Sequence, residues 1–353
     1  MTAIRPQLFK TAMLSLRQMG ASRTGLIPML LSACFLLTPA ASGHAAHLRS
    51  ESVNAAEFSG KAPSEHRISP LGIRLQVLLA RAHFSPGEID GKFGENAKKA
   101  LRAYAEAQQF ASEDRLTGDV WQKLTADDRP VLATYQITAK DIAGPFLKRL
   151  PGKMEDMKHL DRLGYTSPRE ELAEKFHMSQ QLLTALNPDE KFRKAGASIV
   201  VVDSQSGARD IPQAKRVEVD KERQTVKVFD ASNQLVDFYP ATVGSTDKPS
   251  PGGTLRVTMI QQNPIYHYNP KYHFKGVHAK SPFIIRPGPN NPVGIVWISL
   301  SAEGYGMHGT PDPGKVSKAA SHGCVRLTNW DAERLAAEVK KGTPVAFVDH
   351  SSS

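Results

Sequence analysis

Val217-Glu218-Val219, Thr225-Val226-Lys227-Val228-Phe229 and Leu235-Val236-Asp237-Phe238-Tyr239 alternate with a period of two, separated by turn residues such as Ala231-Ser232-Asn233. That period places alternate side chains on opposite faces of a strand and predicts a run of β-hairpins. Downstream, Thr254-Leu255-Arg256-Val257-Thr258-Met259-Ile260 and Gly294-Ile295-Val296-Trp297-Ile298-Ser299-Leu300 continue the texture. A single helix is expected from Trp330 to Lys341, ended by Gly342, and a last strand from Pro344 to Val348. Many short strands with Gly/Pro turns imply a mostly-β sandwich or barrel over residues 214–349. Residues 262–292, rich in Pro, Asn, Tyr and His, read as a functional lid or binding loop within it.

Upstream the period changes, so the whole chain reads as a multidomain α+β protein. Leu71, Leu75, Leu78 and Leu79 fall at helical spacing, and Phe84-Ser85-Pro86-Gly87 breaks that helix. After the turn Ile89-Asp90-Gly91-Lys92-Phe93-Gly94 a second helix carries Ala97, Ala100, Leu101 and Tyr104 on one face, and a third lies near residues 117–124. The Asp-Gly-x-Phe-Gly turn before an alanine-rich helix resembles the small peptidoglycan-binding domain over residues 67–127. Residues 165–203 form a second helical unit, expected to start on an extended Tyr165-Thr166 and to end on the strand Ala197–Val202. This strand–helix–helix–strand order, with Leu186-Asn187-Pro188 closing the second helix, resembles a LysM module that lacks its usual Gly-Asp-x-Leu turn. Residues 46–66 are small and polar and read as a linker.

The N-terminus is an export signal by pattern. Arg5, Lys10, Arg17 and Arg23 precede a mostly apolar stretch from Gly25 to Thr38, followed by Pro39 and the small residues Ala40-Ala41-Ser42-Gly43-His44-Ala45. The apolar stretch is shorter than the ~20 residues a spanning helix needs, which favours a cleaved signal over an anchor. Leu31-Ser32-Ala33-Cys34 also resembles a lipoprotein cleavage box, although the apolar run continues past Cys34. No other segment is apolar enough to cross a membrane, so membrane contact is expected only through residues 1–45. Their removal lowers the formal charge from +10 to +6. Mild basicity suits work beside anionic cell-surface polymers. No basic cluster interleaved with aromatics points to nucleic acid.

Export also isolates a thiol. Without Cys34, Cys324 has no disulfide partner in its own chain, although the compartment is oxidising. It lies in Ser321-His322-Gly323-Cys324-Val325-Arg326-Leu327, sixteen residues after His308 of His308-Gly309-Thr310. A thiol with a pKa of about 8.5 needs a neighbouring base or positive charge to attack near neutrality, and an imidazole can also protonate a leaving amine. Either His308 or His322 fits that role by spacing. Gly309 and Gly323 permit close approach, and amides around residues 322–324 can form an oxyanion hole. A zinc site from His308, His322 and Cys324 is chemically possible, but neither Cys-x-x-Cys nor His-Glu-x-x-His is present. An inert core cysteine is the plainer alternative. The other histidines, including His267, His273, His278 and His350, are expected on surfaces or loops.

Taken in order, Val243-Gly244, Ser250-Pro251-Gly252-Gly253, Pro287-Gly288-Pro289-Asn290-Asn291-Pro292-Val293-Gly294, Gly304-Tyr305-Gly306-Met307-His308-Gly309-Thr310 and Ser321–Leu327 resemble the YkuD-type L,D-transpeptidase catalytic domain. The resemblance implies Cys324 as nucleophile, His308 as base, and the Gly309 carbonyl orienting its imidazole. His322 and Gly323 would line the oxyanion site, and Arg326, Ser321 and Tyr305 would hold the substrate. No metal or organic cofactor is implied. The implied reaction is peptidoglycan 3→3 cross-linking in the periplasm or cell wall, with tetrapeptide stems as donor and acceptor and D-alanine released. The same chemistry with an amine of an outer-membrane protein would anchor that protein to the wall, and with water it would give an L,D-carboxypeptidase. An NlpC/P60-like hydrolase places its cysteine before its histidine, the reverse of the order here. A non-catalytic wall-binding module would not need His308, Ser321, His322, Gly323 and Cys324 together.

Overall fold

The structure is a computed structural model that describes residues 48–110, 114–204, 211–244, 250–272, 277–318 and 323–349. The expected export signal with Cys34, and Ser321, His322, His273 and His350, lie outside the described residues.

The N-terminal half is helical. Helix α1 (Ser50–Asn54) occupies the segment expected as a linker; Val53 is fully buried, and Asn54 Oδ1 accepts hydrogen bonds from the Val131 and Leu132 amides. Helix α2 (Pro70–Arg81) starts at Ser69, whose hydroxyl accepts the Gly72 N–H, with Pro70 in the first turn where no donor is needed. Helices α3 (Glu95–Ala107) and α4 (Gly118–Leu124) complete the bundle. Strand β1 (Leu132–Gln136), the single helical turn α5 (Met154–Met157), helices α6 (Pro168–Lys175) and α7 (Gln180–Leu186), and strand β2 (Ser198–Val202) follow.

Two expectations are corrected here. The strand partner of β2 is not Tyr165-Thr166, which is irregular, but β1, antiparallel from Leu132↔Val202 to Gln136↔Ser198. A long insertion between β1 and α6 hid that pairing, because nothing local marks a two-stranded sheet whose halves lie sixty residues apart. Nor do the two helical segments have separate interiors. Leu78 and Leu101 share one continuous core with Leu172, Leu182 and Val201. A fully buried leucine contributes ~1.5–3 kcal/mol, so the segments stabilise one another.

Arg81 ties that joint. Its guanidinium is buried and donates to the carbonyls of Asp203 (2.7 Å), Pro130 (2.7 Å) and Arg129 (3.1 Å) and to Asp203 Oδ2 (3.0 Å). Arg81→Met removes every one of these donors, leaving the carbonyls unsatisfied while the Asp203 carboxylate keeps some solvent. A loss of about 2–3 kcal/mol is expected in urea unfolding.

The C-terminal half is the expected strand-rich domain. Its strands are β3 (Arg216–Asp220), β4 (Thr225–Phe229), β5 (Leu235–Pro240), β6 (Thr242–Val243), β7 (Gly253–Gln262), β8 (Tyr266–Tyr268), β9 (Phe283–Ile285), β10 (Val296–Leu300), β11 (Gly306–His308), β12 (Val325–Arg326) and β13 (Pro344–Val348). Helix α8 (Asn329–Glu338) precedes the last strand. Among the described residues, nine strands form one sheet in the order β5-β4-β3-β13-β7-β10-β11-β12-β6. Long β7 serves both halves, pairing with β13 near its start and with β10 beyond Val257. The two outer strands, β5 and β6, are separated in the chain only by Ala241, so the sheet curls back on itself. Val217, Val219, Val226, Ile298, Met307, Val325 and Leu335, all fully buried, fill the enclosed core. Alternation explains the other face: Val296, Ile298 and Leu300 point inward while Trp297 and Ser299 point away.

Residues 262–292 contain the two-stranded β8–β9 sheet, in register from Tyr266↔Ile285 to Tyr268↔Phe283, with the Tyr268 and Phe283 rings stacked at 4.6 Å. The insertion before α6 reaches this hairpin. Glu155 Oε1 accepts the His278 amide at 2.6 Å, and Lys158 Nζ lies 5.9 Å from the Phe283 ring centre. On the opposite side, the Ser85 N–H donates to the Phe238 carbonyl and the Phe238 N–H to the His83 carbonyl. His83 is buried and His177, half-buried, stacks on Trp330 at 5.1 Å; both lie in the turns that follow helices. His267 and His278 are exposed as expected.

Candidate active site

The site is built on the outward face of β10, β11 and β12. β11 and β12 run parallel, with Met307 opposite Val325 and His308 opposite Arg326. Met307 and Val325 point into the core, which turns His308 and Arg326 to the other face. Cys324 immediately precedes β12, at the level of Gly306. Its thiol faces the Gly304 carbonyl at 3.7 Å on the β10–β11 turn, next to Tyr305. Cys324 is the only cysteine among the described residues, and it is half-buried.

His308 is fixed on three sides. Its Nδ1 is 2.6 Å from the Gly309 carbonyl, an atom that can only accept, so the proton resides on Nδ1 and Nε2 carries the lone pair. The ring stacks on Trp297 at 5.4 Å between centroids. Burial, with the positive charge of Arg326 adding to it, lowers the His308 pKa to about 3. The imidazole is thus neutral and able to accept a proton throughout the neutral range.

Arg326 is itself enclosed. Burial pushes its pKa down, while the Asp312 carboxylate and Cys324 oppose that shift. Its Nε is buried with no hydrogen-bond partner among the described residues. A guanidinium between a thiol and an imidazole favours the thiolate and disfavours the imidazolium. Tyr266 of β8 completes the surround, its hydroxyl pushed up by burial first and by Cys324 second.

The loop holding the cysteine is shaped by glycine and by a serine that spacing alone did not single out. Gly323 has φ +100°, in the region that side chains avoid, and its carbonyl accepts the Ser250 hydroxyl at 2.7 Å. Because a trans peptide directs its C=O and N–H oppositely, this bond turns the Cys324 N–H away from Ser250. Of the site residues expected from sequence, Cys324, His308, Gly309, Gly323, Arg326 and Tyr305 gather around the short strands β11 and β12. Trp297 and Tyr266 were missed. Trp297 had a legible signal, since its alternation with Ile298 already put it on the face away from the core.

A family model described as the L,D-transpeptidase catalytic domain matches residues 214–346. The Bacillus licheniformis protein named L,D-transpeptidase YkuD is 30% identical over 183 residues, which cover 50% of this chain and 92% of that protein. Its Bacillus subtilis namesake is 27% identical over 176 residues, covering 50% and 90%. The Escherichia coli protein named L,D-transpeptidase YbiS is 25% identical over 190 residues, covering 53% and 61%.

Proposed function

The chain belongs to the YkuD family of L,D-transpeptidases, and we propose that Cys324 and His308 carry out its acyl transfer on peptidoglycan stems in the periplasm. The observation that carries this reading is the parallel pairing of β11, which ends on His308, with β12, which Cys324 immediately precedes, together with His308 Nδ1 committed to Gly309 and its Nε2 left as acceptor.

In the proposed reaction, the Cys324 sulfur attacks the carbonyl carbon of the third, L-centred residue of a tetrapeptide stem. The thiol proton passes to His308 Nε2, and the oxyanion is met by the backbone amide of Cys324 with those of Gly323 and His322. The C–N bond then breaks, D-alanine leaves with the proton held by His308, and a thioester remains. An acceptor amine attacks the thioester, gives a proton to His308, and expels the sulfur, which recovers it. Peptide-bond energy is conserved in the thioester, as a compartment without ATP requires. Arg326 supports the first step by favouring the thiolate, and with Ser321 and Tyr305 it holds the stem. Residues 1–45 would direct export, and the peptidoglycan-binding-like and LysM-like segments would bring the enzyme to the wall.

Mass spectrometry of products from the purified protein and disaccharide-tetrapeptide tests this reading. Dimers joined 3→3, with D-alanine released, are expected. Free tripeptide alone would make the enzyme a carboxypeptidase, and unchanged substrate would overturn the reading. Offering an outer-membrane protein amine alongside the stems tests the alternative acceptor.

A further inference from the structure

The turn that orients His308 rests on a side chain from another element, and that side chain is held by the N-terminal half. Asn329, the first residue of α8, is 1% exposed. Its Nδ2 donates to Glu174 Oε1 at 2.6 Å and to the Pro289 carbonyl at 3.2 Å. Its Oδ1 accepts the Ile295 N–H at 3.3 Å. Both partners of Nδ2 are oxygens and the partner of Oδ1 is an N–H, so Glu174 and Pro289 dictate which way the amide faces. The same Oδ1 lies against two glycine backbones: a Cβ added at Gly294 or Gly309 would come within 2.0 or 2.2 Å of it. Gly309 in turn presents the carbonyl that holds His308 Nδ1.

We propose that Glu174 and Asn329 are positioning residues for the catalytic base. Glu174, from α6 of the N-terminal half, fixes the Asn329 amide. The Asn329 amide fixes the Gly309 peptide, and that peptide fixes the tautomer and tilt of the imidazole. The N-terminal half therefore contributes to acyl transfer itself. This inference rests on the assignment of His308 as base. The location of Glu174 agrees with a dedicated role. It borders a cleft of about 280 Å³ with Glu88, Asp312, Lys315 and Trp330. Burial raises its pKa to about 7, the Asn329 hydrogen bond opposes the rise, and Glu170, Glu333 and Glu88 add to it. A buried carboxylate among three other acids costs stability unless something else retains it.

The test uses the full chain carrying Glu174→Met, which removes the acceptor and keeps the volume. Asn329 Nδ2 keeps the Pro289 carbonyl as acceptor and the repulsion from Glu170, Glu333 and Glu88 is removed, so folding should survive, as Tm will report. The expected result is a fall in kcat of about tenfold, from loss of base alignment, with KM for the donor stem unchanged. The downfield Nδ1 proton of His308, seen by NMR of ¹⁵N-histidine protein, should broaden or shift. Unchanged kcat and an unchanged Nδ1 resonance would overturn the proposal. If Glu174→Met does not fold, Glu174→Gln decides instead. That variant keeps an acceptor but cannot ionise, so it should retain the resonance and lose the inflection near pH 7 expected in the wild-type kcat profile; superimposable profiles would overturn the proposal. His308→Ala, assayed in parallel, separates the two readings. An inactive His308→Ala beside a fully active Glu174→Met rejects only the positioning role, whereas an active His308→Ala rejects the base assignment on which it rests.

Discussion

Cys324→Ala should reduce release of D-alanine from tetrapeptide to background, a loss on the order of 10⁵-fold, the scale seen when a covalent nucleophile is deleted. The expectation follows from the chemistry of the proposed intermediate. No other thiol is present among the described residues, and no neighbouring side chain can form the thioester in its place. The substitution should leave the fold intact. Cys324 is half-buried, and its hydrogen bond to the Gly304 carbonyl, at 3.7 Å, is long. Chromatographic assay of free D-alanine, with thermal unfolding as control, checks both halves. Undiminished release by the alanine variant would remove Cys324 from the nucleophile role.

The next largest effect is expected from His308→Gln, a loss of about 10³-fold in kcat, the upper part of the range for a general acid–base group. The remaining activity would reflect thiolate favoured by Arg326, which His308 does not supply. This variant also carries a signature in pH. An unfolded histidine titrates near 6.5, but burial and Arg326 hold His308 at about 3. Between those values the unfolded chain binds a proton that the folded chain refuses, so stability rises with pH across that window and is level above it. Burial gives His177 the same sign, with a pKa lowered to about 4. Urea unfolding from pH 4 to 8 should therefore be flatter for His308→Gln than for the wild type. For activity, protonation of His308 should not set an acid limb near 6.5. A limb near 6.5 that persists in Glu174→Gln but disappears in His308→Gln would contradict the enclosed, neutral imidazole.

Much of the site was visible in the sequence because its members are tied to local pattern. The two-residue period of Val296–Leu300 fixed which residues of β10 face the core, and Gly309 and Gly323 marked the turns beside His308 and Cys324. What stayed hidden depends on distant backbone. Ser250 meets Gly323 across seventy-three residues and Asn329 meets Glu174 across 155, and polar residues at such separations have no period to reveal them. The same reason accounts for β1, whose partner follows a long insertion. His83 and His177 lie in loops, as expected, but not in exposed ones. Their polarity suggests solvent, yet each lies at a positive-φ helix end that packs against the C-terminal half, His83 at φ +74° and His177 at φ +56°.

The backbone contact between His83–Ser85 and Phe238 has a consequence for how the molecule is made. β5 is an outer strand of the nine-stranded sheet, and an uncovered outer strand is a template for joining another copy of itself. Here the segment that covers it belongs to residues synthesised more than a hundred positions earlier. Chains emerge and fold from the N-terminus, so the cover stands ready before the strand that needs it leaves the ribosome. Reversing the order of the two halves in the gene would leave every contact in the finished protein possible, yet expose that strand to its neighbours while its cover was still being made.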